Sequence, residues 1–71
     1  MDRKVLVRHL ALAERHVAAG EHHLERQRRV VAKRLREGFD DREAMNLLME
    51  FERLQAMHVA DRDRLRQELG P

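Results

Sequence analysis

Histidine is the residue type in this chain with the most evident capacity for chemistry. His9, His16 and His23 recur every seven residues, and His58 stands far from them in the sequence. Neutral imidazole is a common metal ligand. Seven-residue spacing places the first three on one face of a helix, but about 10.5 Å apart along its axis, too far for one ion to bridge. A metal site would therefore need His16 or His23 to meet His58, or symmetry copies of themselves, across a helical bundle.

An ordinary structural role explains the same histidines better. Histidine is often half-buried, hydrogen-bonded to a carboxylate or an amide at the flank of a bundle. The Glu-x-x-His pattern of di-iron bundles does not occur, and no cysteine supplies a thiolate ligand or a disulfide. We therefore predict no metal and no cofactor. A small metal- or ligand-binding bundle using His16, His23 and His58 is kept as the alternative.

Catalytic groups of the usual kinds are missing from the sequence. The chain has neither cysteine nor serine, and no glycine-rich phosphate loop. An active site would have to form between subunits from histidine and carboxylates alone. We therefore predict a non-enzymatic protein.

A basic run over 26–36 suggests nucleic-acid binding as a second alternative. It holds six Lys or Arg and no acidic residue, which resembles a phosphate-binding footprint. No aromatic residue accompanies it for base stacking. Residues 1–37 carry ten basic and five acidic residues, whereas 38–71 carry five and eight. Because the two halves are complementary, we expect the run to serve assembly, which makes nucleic acid an unlikely partner.

The elements that position these groups are helices. Leu, Ala, Glu and Arg dominate the sequence, and all are strong helix formers. Gly38 supplies a left-handed residue that ends a helix, with Phe39 as the following apolar contact. Asp40 is the expected N-cap of the next helix, with Glu43 completing a capping box. The predicted all-α antiparallel hairpin is a single domain over 1–71, with a helix over about 3–37, a turn at 38–40 and a helix over about 41–69.

Each predicted helix is apolar over more of its circumference than one neighbour can cover. The apolar band of the first helix spans roughly 160°, against the ~100° stripe of a helix that faces one partner. A 71-residue chain buries a core worth only ~3–5 kcal/mol without such help. We predict a four-helix bundle or a larger oligomer, formed with itself or with another helical protein. The predicted interface residues are Val5, Leu12, Val30, Met45 and Met49.

Polar residues interrupt the main apolar stripes. Gln27, Gln55 and His58 lie among them and are predicted to form a structural polar core, since buried polar groups need partners. Reflecting the chain about its turn places His58 level with residue 21, beside Gly20. The missing side chain of Gly20 would then make room for the imidazole.

Two long segments carry a resemblance. LALAERHVAAGEHHLERQ (10–27) and LLMEFERLQAMHVADRDRL (47–65) resemble a group of small, uncharacterised bacterial helical-hairpin proteins, over about residues 9–69. The resemblance implies a hairpin and transfers no functional residue, because no activity is established for that group.

No segment of the sequence is typical of export or membrane insertion. The apolar start at Val5 is too short for a signal-peptide core, and nothing approaches the ~20 apolar residues of a membrane span. We expect a cytoplasmic, non-enzymatic oligomeric bundle that acts as an interaction or regulatory module.

Overall fold

Two long helices form the fold. The computed structural model describes residues 2–70, in which α1 spans Arg3–Arg36 and α2 spans Arg42–Leu69. The helices pack antiparallel along their whole length, and the molecule measures 53 × 17 × 14 Å. No strand occurs among residues 2–70, so the predicted all-α hairpin is confirmed.

The end of α1 is a glycine-terminated turn. Gly38 adopts a φ of +83°, which favours glycine because it has no Cβ. Its N–H donates to the Leu35 carbonyl at 3.1 Å, and the Phe39 N–H donates to the Arg34 carbonyl at 2.9 Å. This is the Schellman pattern, so the predicted role of Gly38 is confirmed.

The N-cap of α2 differs from the prediction. Asp41, not Asp40, accepts a hydrogen bond from the Ala44 N–H at 3.0 Å. The chain has to pass through Phe39 and Asp40 to reach the axis of α2, which moves the cap one residue along. Glu43 is consequently too near the helix start to complete a capping box.

A narrow seam of small and medium side chains forms the core. The buried apolar residues are Leu6, Ala13, Val17, Leu24 and Val31 on α1, and Ala44 and Leu65 on α2. Two helices can cover only one stripe of each other. For that reason Leu35, Leu47 and Leu54 remain 62%, 45% and 47% exposed.

Two buried glutamines link each helix to the backbone of the other. The Gln27 amide donates to the Ala44 carbonyl at 2.9 Å, and the Gln55 amide donates to the Val17 carbonyl at 2.9 Å. A helix carbonyl has a second lone pair, so it can accept such a bond while keeping its place in the helix. Over the described residues, neither helix is long and apolar enough to cross a membrane.

Candidate functional site

A groove of about 210 Å³ lies between the two helices, near their middle. We call it the histidine groove. Its lining residues are His16, Ala19, Gly20 and His23 from α1, and Phe51, Leu54, Gln55 and His58 from α2.

The floor of the groove is the contact between Gly20 and Gln55. A Cβ on Gly20 would lie 2.7 Å from Gln55 Cδ and closer still to Oε1, so the amide occupies the space that a side chain would fill. The predicted neighbour of Gly20 was His58, and that prediction was wrong. The imidazole of His58 instead lies against His16, five positions nearer the N-terminus than residue 21. The reason is that the end of α1 extends beyond the start of α2. Pairing residues symmetrically about the turn does not take this overhang into account.

The Gln55 carbonyl oxygen has an unusual environment. Gln55 is only 8% exposed, and its Oε1 is buried without a hydrogen-bond partner among the described residues. Its Nε2 must face the Val17 carbonyl, so Oε1 is left pointing at the Cα of Gly20. A Cα–H···O contact is the interaction that this position offers.

Two of the three histidines considered for a metal site come together. The ring centroids of His16 and His58 are 5.0 Å apart, and the rings are inclined by 49°. His16 is exposed and His58 is half-buried. His23 instead packs against Phe51, with centroids 5.9 Å apart. Within residues 2–70, no group of three or more His, Cys, Asp or Glu is placed to hold a metal ion.

The groove lies on a longer apolar side of the hairpin, which we call the groove face. Its α1 residues follow a spacing of three and four as far as His23, with Val30 seven residues further on, and its α2 residues follow the same spacing of three and four. They are Val5, His9, Leu12, His16, Ala19, His23 and Val30 on α1, and Leu47, Phe51, Leu54 and His58 on α2. Leu12, Leu47 and Leu54 are each 45–48% exposed, so this face has no covering layer in the single chain.

Sequence reasoning identified only the α1 half of this face. Val5, Leu12 and Val30 lie on it, as half-buried or exposed residues. Met45 and Met49 do not, because each is two residues from Leu47 and so about 160° around the helix from it. A signal for the α2 half was present in the three- and four-residue spacing of Leu47, Phe51, Leu54 and His58.

The two edges of the groove face carry opposite charges. The α1 edge is basic apart from Glu37, which follows the end of α1 and pairs with Lys33 at 3.9 Å. The α2 edge is mainly acidic, and all these side chains are exposed. The basic edge holds Lys4, Arg8, Arg15, Arg26 and Lys33, and the acidic edge holds Glu43, Glu50, Asp61 and Glu68. Arg64 lies within the acidic edge, and its hydrogen bonds to Asp61 and Glu68 raise the pKa of its guanidinium above the ordinary value.

The basic run does not form one surface. Arg29 pairs with Glu25 at 2.6 Å, and Arg34 with Asp41 at 3.4 Å, within the same chain. Arg26 and Arg28 are two residues apart and therefore point about 160° away from each other. The run consequently wraps around α1 rather than presenting a flat phosphate-binding face.

Comparison with known proteins adds no family to this description. No family model, no curated protein and no solved structure matches the chain. What stands of the resemblance to small helical-hairpin proteins is the hairpin itself.

Proposed function

We propose that this chain is a non-enzymatic assembly module that forms a homodimeric four-helix bundle through its groove face. The observation that carries the proposal is a stripe of half-exposed apolar residues on both helices, bordered by edges of opposite charge. The other side of the hairpin already has a cross-helix ion pair, between Arg66 and Glu14 at 3.6 Å.

Burial of the groove face supplies the driving force. Complete burial of a Val, Leu or Met side chain contributes about 1.5–3 kcal/mol. Leu12, Leu47 and Leu54 are already about half-covered, so each gains about 1 kcal/mol when a second layer covers it. In a symmetric dimer, each of these residues is buried twice, once in each copy.

The charged edges select a second copy and its orientation. Two faces can meet about a two-fold axis parallel to the helices, which lays α1 on α2 of the other copy. An axis across the helices would instead lay α1 on α1, basic edge against basic edge. We infer the parallel axis, because it brings unlike charges together. Either axis makes all adjacent helices antiparallel, as in four-helix bundles.

The levels of the charges agree with this arrangement. His16 lies at the level of His58, and His23 lies at the level of Phe51. With these levels, four of the five basic residues are offset along the helix axis by about two residues, or about 3 Å, from a different acidic residue of the second copy. The pairs are Arg8 with Glu68, Arg15 with Asp61, Arg26 with Glu50 and Lys33 with Glu43. Exposed pairs contribute only ~0.2–1 kcal/mol each, so they set orientation more than affinity.

Sedimentation equilibrium in EDTA at micromolar concentration tests the dimer. We expect the wild type to give twice the 8.5 kDa chain mass. Leu54→Glu should give the monomer mass, because it places a charge in the centre of the groove face. Met49→Glu is the matched control, since Met49 is 56% exposed, close to the 47% of Leu54, and lies on the other side of α2.

Two results would contradict the proposal. The first is a wild-type mass of 8.5 kDa together with a cooperative melt. The second is dissociation by Met49→Glu but not by Leu54→Glu, which would move the interface to the opposite side.

A further inference from the structure

We propose that His16 and His58 form half of a transition-metal site, and that the same two residues of a second copy complete a four-imidazole tetrahedral centre. The second half of this centre rests on the proposed dimer. Among residues 2–70, His16 and His58 are the one pair of histidines that α1 and α2 bring together.

The separation of the two rings suits a tetrahedral ion. A Zn–N bond of about 2.0–2.1 Å, extended by an imidazole radius of about 1.1–1.2 Å, puts each ring centroid about 3.2 Å from the metal. At the tetrahedral angle, the two centroids are then about 5.2 Å apart. The observed separation is 5.0 Å. The two rings are therefore separated by about the distance expected for two imidazole ligands of one tetrahedral ion.

The chemistry of the groove favours a metal that prefers nitrogen ligands. Its lining contains imidazoles, an amide and apolar groups, and no carboxylate. Calcium and magnesium require several oxygen ligands, whereas zinc, copper and nickel bind imidazole well. Four neutral imidazoles in a tetrahedral arrangement suit zinc.

Symmetry brings the second pair to the same place. A two-fold axis parallel to the helices leaves the height of each residue along the hairpin unchanged. The His16–His58 pair of one copy therefore faces the same pair of the second copy. His16 is exposed and His58 is half-buried, and both line the groove that the second copy would cover. The two grooves, each of about 210 Å³, provide space for the rings to turn around the ion.

Calorimetric titration of metal-free protein with zinc chloride tests the centre. We expect one zinc ion per two chains in the wild type. His16→Ala and His58→Ala should each lower zinc affinity at least tenfold, because each removes two of the four ligands. His22→Ala is the control, since this exposed α1 histidine lies outside the groove lining, and its affinity should equal that of the wild type. Far-ultraviolet circular dichroism checks that each variant is helical.

The outcomes separate the metal centre from the dimer, because sedimentation in EDTA measures assembly alone. A dimer in EDTA that binds no zinc overturns the centre and leaves the dimer standing. Zinc bound equally by the wild type and both groove variants, or one ion per chain, overturns the shared site. A monomer in EDTA that dimerises with one zinc per two chains supports the centre and overturns metal-free assembly.

Discussion

Gly20→Ala is expected to destabilise the hairpin, although alanine is the better helix former. The new Cβ would occupy the position of the Gln55 amide, 2.7 Å from its Cδ. Gln55 would have to swing away and break its hydrogen bond to the Val17 carbonyl, now 2.9 Å long. The substitution therefore sets a gain in helix propensity against the loss of a buried, hydrogen-bonded amide.

The two contributions differ in size. Replacing a mid-helix glycine with alanine gains about 0.5–1 kcal/mol. Displacing a buried amide from its partner costs about 1–3 kcal/mol. The net loss is about 1 kcal/mol, which lowers the melting midpoint of a chain this size by about 4–8 °C.

A double-mutant cycle isolates the contact. In a Gln55→Ala background the obstruction is gone, so Gly20→Ala should raise the stability by about 0.5–1 kcal/mol. Ala18→Gly, at an exposed neighbouring position, measures the difference in helix propensity between alanine and glycine by itself. Thermal melts at one fixed chain concentration supply the values, because association shifts the midpoint. A higher midpoint for Gly20→Ala in the wild-type background, or equal shifts in both backgrounds, would refute the reasoning.

Two further predictions concern the turn and the basic run. Asp41→Ala should lower the free energy of unfolding by about 0.5–2 kcal/mol, because it removes the N-cap of α2. Asp40→Ala should change it by no more than about 0.5 kcal/mol. Chemical denaturation measures both values, and equal losses would contradict the assignment of Asp41 as the cap. Duplex DNA should bind only weakly at near-physiological salt, with little change in Arg29→Glu/Lys33→Glu/Arg36→Glu. Tight binding that this triple variant loses while its oligomeric state persists would make nucleic acid the partner.

The local features of the fold follow from short stretches of sequence. The end of α1 could be predicted from Gly38 and Phe39, because the positive φ of Gly38 and the hydrogen bonds of the turn involve only neighbouring residues. The burial of Gln27 and Gln55 follows from their positions among apolar residues on a helical wheel drawn at 100° per residue. The N-cap was misplaced by one residue, because the path of the chain from Gly38 to the axis of α2 decides between Asp40 and Asp41.

The register of the two helices could not be predicted in the same way. Both apolar stripes repeat along their helices, so sliding α2 past α1 keeps apolar residues opposite one another. The choice depends on how far α1 extends beyond the start of α2, which no local pattern encodes. For this reason the sequence paired His58 with Gly20 rather than with His16.

Gly20 offers a physical account of how the register is selected. In the observed register, Gln55 approaches the α1 backbone at the one position of that helix that has no Cβ. A shift of α2 by one turn, about 5.4 Å, would set Gln55 against His16 or Leu24, whose side chains block the same approach. The register selected in this way also places His16 against His58 and levels the basic edge of α1 with the acidic edge of α2. The contact that costs helix propensity therefore determines the geometry on which both the proposed dimer and the proposed metal centre depend.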